Sequence, residues 1–512
     1  LTQLKFWLPA MVASVLLIAA HLAQNSRLLA RDEVDYAVAA GQGFVSNYFD
    51  STALSPSDFI RFIKARLKNQ PCQFGKYYDE ENDVFIRRHM HPPLLQYLIN
   101  VAGMRHMTDG RHDQILLSFQ FAGGLVLIVL INTAVLFIAN KPIDLITGFA
   151  LATSSFLAAF HLTREIQYHL WFAISLIMVS FGLGRYFDRP NYNNAIRLGV
   201  LLGLSFLALE TGLFAMAIAL FLISLRIHPK FNRQFFRNLY ISIPFRQFAV
   251  ISVVMALTIF LLWPASLLKL SLPRILAIYA YRLYLGNEYA GGNRVYFSLL
   301  FRTLPLILAG GIGIATGWLN RRKPQNHYHQ AFAGLGLCYG LLMLKFMLNI
   351  TYMIPALALL SISGLVALVE LKKSRFKSIA SIILVGLTGW VYSREKPLVV
   401  FATPQGLQNL ATLIEKHPHP VLIEAGHIYQ YYLPELQSKI ENITISSSGD
   451  FITIRKNMKY ESIAIDQMKN HLILFYNRPN TLVSPVENRI RTHSERLVIP
   501  GIMARAYLIT SP

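Results

Sequence analysis

Cysteine and charge are both scarce in this chain. The two cysteines, Cys72 and Cys338, are too few for a disulfide framework. Cys72 stands in a polar stretch and Cys338 in an apolar one, so they are poorly placed to pair with each other. There is no C-x-x-C and no zinc-ligand spacing. Charged residues make up 15% of the 512 residues, against about 25% in soluble domains. Acids are the rarer sign, 27 against 48 Lys and Arg. What fills the space is hydrophobic: 54% of the chain, with a mean hydropathy of +0.41, arranged in blocks as in a membrane protein. The net charge of +21 would suit nucleic acid, but the cations argue against it. They cluster in short loops between apolar runs: Arg185, Arg189 and Arg197; Arg226, Lys230, Arg233, Arg237 and Arg246; Arg321, Arg322 and Lys323; Lys372, Lys373, Arg375 and Lys377. Such loops stay cytoplasmic.

Parity then sets an expected topology. Phe6–Ala23 leaves the cytoplasm as an uncleaved signal anchor, which puts 24–113 outside. Gln114–Ala139 returns, Leu145–Leu162 exits and Leu170–Tyr186 returns. The thirty or so residues from Ile196 to Arg226 lie between two basic loops, so they read as a short-helix hairpin turning at Glu210-Thr211-Gly212, although a full span needs about twenty residues. Ala249–Leu268, Leu299–Leu319, Ala331–Leu348, Tyr352–Leu371 and Ser378–Val391 complete about eleven spans. The expected fold is an α-helical polytopic membrane protein, 1–393, with a C-terminal extracytoplasmic α/β domain, 394–512. The N-terminus is expected in the cytoplasm, and the membrane is expected to be a bacterial inner (plasma) membrane.

By this map the chemistry-bearing residues face one side. Asp32-Glu33-Val34-Asp35-Tyr36 follows the first apolar segment. His91-Pro92-Pro93-Leu94 forces an extended break before an apolar helix, Leu94–Met104. Arg164-Glu165 lies in the turn His161–His169. Lys269, Arg274, Arg282 and Arg294 fall in a loop that also holds Glu288, Tyr289 and Gly291-Gly292, which suggests a mobile cover. Ser57–Lys68 reads as a basic amphipathic helix in the headgroup layer. Each residue also has a plainer reading. Asp32 and Glu33 suit the start of the helix that follows them, His91 suits a turn, and the arginines suit snorkelling to headgroups.

Taken in order, these motifs resemble the GT-C glycosyltransferases, in the protein mannosyltransferase-like branch that includes the lipid A aminoarabinose transferases. The resemblance rests on Asp32-Glu33 with Tyr36-Ala37; His91-Pro92-Pro93-Leu94 and Tyr97; Arg164-Glu165 with Tyr168; Gly203-Leu204-Ser205-Phe206-Leu207; Trp263-Pro264; and Tyr352-Met353-Ile354-Pro355-Ala356-Leu357. It covers roughly residues 1–390. The chain departs from the family at three positions. Glu210-Thr211-Gly212 stands where Thr-Lys-Gly is usual, Thr351 where an Arg commonly precedes the Tyr-x-x-Pro motif, and His91 where the aminoarabinose enzymes have Lys.

The resemblance implies transfer of a sugar, with inversion, from a polyprenyl-phosphate donor to a hydroxyl of a glycan, lipid or protein acceptor on the extracytoplasmic side. The residue chemistry fits this. The phosphate leaves as a stable anion without a general acid, whereas the acceptor hydroxyl needs a carboxylate to take its proton. Asp32 is the expected base. Glu33 and Glu165 would orient hydroxyls or raise the Asp32 pKa by like charge. His91, Tyr36, Arg164, Arg274, Arg282 and Arg294 would contact substrate, the cations opposite the phosphate. No metal or other cofactor is expected. Two other readings stay open: a polysaccharide polymerase or ligase of different fold, which would also use a large outer loop, and a transporter, which would need polar groups near the midplane.

In the tail, Leu398–Ala402, Val421–Ala425, Ile443–Ser446, Ile452–Arg455, Leu472–Tyr476 and Ala504–Ile509 read as strands, with a helix at Leu407–Lys416. Gly426-His427-Ile428-Tyr429 follows a strand end, a position that often carries ligands in open sheets. The tail has no Gly-rich phosphate loop.

Overall fold

The computed structural model describes residues 2–22, 28–29, 33–34, 36–37, 40, 64, 92–101, 111–227, 243–268, 293–319, 327–346, 350–371, 375–395, 402–424, 426–445, 451–456, 459–464, 467–476 and 485–510. The helices of the first part are α1 (Thr2–Leu22), α2 (Leu94–Val101), α3 (Arg111–Ala139), α4 (Leu145–Thr163), α5 (Tyr168–Asp188), α6 (Tyr192–Ala208), α7 (Gly212–Ile227), α8 (Ile243–Leu262), α9 (Asn293–Leu319), α10 (His327–Phe346), α11 (Ile354–Glu370) and α12 (Arg375–Arg394). Among the described residues, Ile115–Ala139, Leu145–Thr163, Tyr168–Asp188 and Arg375–Arg394 are long and apolar enough to cross a membrane, and five shorter apolar helices accompany them. The architecture is that of an α-helical polytopic membrane protein with a small C-terminal sheet. The amphipathic helix expected at Ser57–Lys68 lies, Lys64 apart, outside the described residues.

Local chemistry sets the helix ends. Asp144 caps α4, its carboxylate accepting the Thr147 N–H at 2.9 Å and the Thr147 hydroxyl at 3.1 Å, while Lys377 of α12 pairs with it at 2.5 Å. Asn191 caps α6 through the Asn194 N–H, satisfying a donor that the first helical turn leaves without an intrahelical partner. The α6–α7 break falls at Leu209–Thr211, where the expected turn lies. The Arg226 guanidinium packs 4.9 Å over the Phe187 ring. Phe187 ends α5 just before α6 begins, so α7 returns to the end that α6 left, and the pair is a hairpin.

Small residues decide the closest helix crossing. A Cβ on Gly364 of α11 would sit 1.7 Å from the Ala309 carbonyl oxygen of α9, and one on Gly313 would sit 2.6 Å from the Gly364 nitrogen. The two backbones therefore touch, as small residues permit where lipid supplies no hydrophobic drive. Inside the bundle Asn132 donates to Ser155 at 3.1 Å, and His329 and Ser363 are 2.9 Å apart. These buried polar groups pair with each other.

The C-terminal part contains α13 (Pro404–Lys416), β1 (Val421–Glu424), α14 (Gly426–Tyr432), β2 (Ile440–Ile445), β3 (Phe451–Lys456), β4 (Lys459–Ala464), β5 (Leu472–Tyr476), α15 (Pro485–Thr492), β6 (Ser494–Leu497) and β7 (Ala504–Ile509). The sheet order is β4-β3-β2-β1-β5-β7-β6. The central strands β2, β1 and β5 are parallel and the flanking pairs antiparallel. Strand alternation splits the apolar residues. Val421, Ile423, Leu472 and Leu474 join the main core, whereas Leu422, Ile473 and Phe475 form a second core with Met468, Ile490 and Tyr507. The strand expected at Leu398–Ala402 survives among the described residues only as a bridge from Ala402 to Ile502.

Candidate functional site

Helix parity gathers one set of loops at one end of the bundle. The α4–α5 turn, residues 164–167, is held from both sides there. The Glu33 carboxylate, 1% exposed, accepts the Ile166 N–H at 2.6 Å. The Gln120 amide of α3 donates to the carbonyls of Leu162 at 2.8 Å and Glu165 at 3.1 Å. A buried carboxylate needs such donors, and the turn needs an acceptor for an N–H that no helix satisfies. Glu33 thus fixes the turn, and the Glu165 side chain is left exposed on it. The structure brings these two sequence-derived candidates together, 132 positions apart in the chain.

An aromatic and amide layer continues from the turn. Tyr36 meets Tyr168 edge-to-face at a centroid distance of 4.9 Å, and the Gln96 amide donates to the Tyr168 hydroxyl. The Tyr97 hydroxyl donates to the Leu262 carbonyl at 2.9 Å, tying the Pro92-Pro93 helix to α8. Next to α5, His169 lies 4.4 Å from the Tyr352 ring, and the Tyr339 hydroxyl donates to Thr211 at 2.9 Å. The turn residue Glu210 is buried.

Arg164 is engaged. Its guanidinium pairs with Glu395, which also receives Arg302 through two bonds of 2.6 and 2.8 Å, while the carbonyl of Arg302 meets His161 at 3.0 Å. Burial pushes the Glu395 carboxyl up, but the Arg302 hydrogen bond and the positive charges around it win, and its pKa ends below the usual carboxylate range. This ion cluster ties α4, α9 and the end of α12 together.

Sequence reasoning missed a second cluster. Asp113, at the start of α3 and 4% exposed, accepts the Tyr432 hydroxyl at 2.6 Å and the Tyr431 hydroxyl at 3.4 Å. The Leu29 N–H donates to the Tyr432 oxygen at 2.8 Å. Helix α14 thus joins the C-terminal part to the first outer segment. Burial is the main cause that raises the Asp113 pKa; the Tyr432 bond opposes it, and the negative charge of Glu33 adds to it. Burial and then the Asp113 charge push both phenols up, so they remain donors. The motif singled out in the sequence, Gly426–Tyr429, stops two residues short of this contact.

Asp32, His91, Arg274 and Arg282 lie outside the described residues, as do Cys72 and Lys269. The Arg294 backbone opens α9. Among the described residues no group of three His, Cys, Asp or Glu side chains is placed to hold a metal ion.

These elements define a polytopic helical protein whose carboxylates and arginines meet at one end of the bundle, under an α/β layer. No protein-family model matches the chain, and no curated protein matches it. Among solved structures, 98% of the chain is similar to 98% of ArnT from Cupriavidus metallidurans bound to undecaprenyl phosphate, at 12% identity and a TM-score of 0.48. For the same protein in the apo state, 97% of the chain is similar to 98% of that one, at 10% identity and a TM-score of 0.46. Likeness at that level defines neither substrate nor site in this chain.

Proposed function

We propose that the protein is a membrane glycosyltransferase that moves a sugar from a polyprenyl-phosphate donor to an acceptor hydroxyl on the extracytoplasmic side. The observation that carries this reading is the Glu33–Ile166 bond. It joins the acidic segment after α1 to a turn that exposes Glu165, so two distant acid-bearing segments are held together at one end of the helices.

Asp32, one peptide bond before Glu33, is the base. It takes the acceptor proton as the acceptor oxygen bonds to the anomeric carbon, and the bond from that carbon to the phosphate oxygen breaks with inversion. Glu165 orients sugar or acceptor hydroxyls, while Glu33 positions the turn. With Arg164 already paired to Glu395, the phosphate charge falls to His91, Arg274, Arg282 and Arg294, and Tyr36 adds an aromatic contact. Among the described residues the Asn132–Ser155 pair inside the bundle is an amide and a hydroxyl, which favours this over a transporter, whose pathway would call for ionisable groups near the midplane.

Detergent-purified protein given undecaprenyl-phosphate-linked hexoses or pentoses and a mixed glycan and glycolipid acceptor fraction should glycosylate an acceptor hydroxyl and release undecaprenyl phosphate, with or without EDTA. Counterflow of an intact sugar lipid in liposomes without bond cleavage would replace this reading with transport. Loss of transfer in EDTA, restored by one divalent ion, would overturn the metal-independent form. Cysteines placed at 165 and 185 should label from opposite sides of the membrane; labelling from one side would break the topology on which the outward site depends.

A further inference from the structure

At the opposite end of the bundle from the carboxylates lies a cavity of about 360 Å³, bounded by α3, α5, α6 and α10. Its lining mixes cations with aromatic and apolar side chains. Arg185, Arg197 and Asn194 line it together with Phe137, Phe181, Met178 and Tyr328, and Tyr328 packs on Gly184, next to Arg185. From Met178 to Arg185 is seven residues of one helix, a length of about 10 Å. The aromatic wall is packed, with Phe137 edge-on to Tyr328 at 5.3 Å and Phe181 edge-on to the same ring at 6.1 Å. Its side is open, Phe137 being 56% and Met178 40% exposed, as expected of side chains that meet acyl chains.

We infer that this cavity binds one anionic glycerophospholipid of the adjacent leaflet, its phosphate between Arg185 and Arg197 and the first part of an acyl chain along Met178 and the Phe137–Tyr328–Phe181 wall. Charge decides the occupant. Among the described residues the lining holds two arginines and no carboxylate. One acid lies nearby, Asp188, met by His327 at 3.5 Å and Arg189 at 3.6 Å, so the cations Arg185, Arg189 and Arg197 outnumber it. Asn194 donates to the Arg189 carbonyl at 2.7 Å, closing the C-terminal end of α5 beneath the arginines. A guanidinium pair suits a phosphate oxygen pair, and an apolar wall opening to the side suits a chain that never leaves the bilayer. Two loose snorkelling arginines would attract anionic lipid without any wall. The site is separate from the proposed sugar transfer and does not rest on it.

The test is native mass spectrometry of the full-length protein released from micelles carrying equal phosphatidylglycerol, phosphatidylcholine and undecaprenyl phosphate, with melting temperature as the folding control. Wild-type protein should retain one phosphatidylglycerol in preference to phosphatidylcholine. Arg185→Ala with Arg197→Ala should weaken that retention about tenfold or more. Met178→Trp, which keeps both charges and adds bulk at the apolar wall, should weaken it as well. Equal retention of the zwitterionic lipid by wild-type protein would overturn the site without any variant. So would a Met178→Trp protein that binds phosphatidylglycerol like the wild type, and so would preference at this cavity for undecaprenyl phosphate over phosphatidylglycerol.

Discussion

The Glu33 carboxylate accepts the Ile166 N–H at 2.6 Å, and this bond couples the first outer segment to the turn that exposes Glu165. A hydrogen bond to a charged group contributes about 1.5–3 kcal/mol. Glu33→Ala should therefore lower stability by about that amount and reduce sugar transfer. Glu33→Gln keeps an acceptor oxygen and should lose less of both. Thermal midpoint and turnover measured on the same preparations check this, and a Glu33→Ala protein as stable and active as wild type would remove the coupling.

Two buried carboxylates should titrate with opposite sign. Glu395 has its pKa lowered in the folded state, so it contributes stability above its unfolded pKa, and that contribution is lost as pH falls through the lower folded value. Breaking such a buried cluster from one side typically costs about 3–5 kcal/mol, which sets the scale for Glu395→Ala at neutral pH. Asp113 has its pKa raised from 3.8, so its contribution is present below the unfolded value and is lost as pH rises through the folded one. Asp113→Asn should therefore be at least as stable as wild type at pH 7 and should flatten the melting curve above pH 4. Melting temperatures of both variants across pH, at fixed salt and detergent, decide it.

The clasp between α14 and the membrane part depends on one phenol. Tyr432→Phe removes the donor to Asp113 and the acceptor for Leu29 N–H at once. With a buried carboxylate losing its partner, the cost should be about 1–3 kcal/mol. Limited proteolysis should then separate the C-terminal part from the membrane part faster than in wild type. Tyr431→Phe, whose bond is 3.4 Å, should change the cleavage rate little.

Helix positions were legible in the sequence because apolar length and basic flanks report directly on bilayer crossing. The hairpin between Ile196 and Arg226 shows how far that goes: the Glu210-Thr211-Gly212 break was readable, and Arg226 over Phe187 is the structural counterpart. The tail strands from Val421 to Ile509 were mostly legible from alternation. Lys459–Ala464 and Ser494–Leu497 were not, because charged residues on narrow edge strands carry no apolar period. The Glu395–Arg164–Arg302 and Asp113–Tyr431–Tyr432 clusters were invisible for a different reason. Each joins residues far apart in sequence, and no single segment has a pattern that requires its partner. In the sequence Asp113 is one polar residue ahead of a long apolar run, and only burial distinguishes it.

The most direct measurement is turnover of Asp32→Asn protein with a polyprenyl-phosphate-linked sugar, with expression level and melting temperature as controls. If Asp32 takes the acceptor proton, the variant keeps its fold and donor binding and loses about 10²–10⁴-fold in turnover. If Asp32 only caps the helix that follows it, Asn serves about as well, and an Asp32→Asn protein that is stable and fully active would contradict the account.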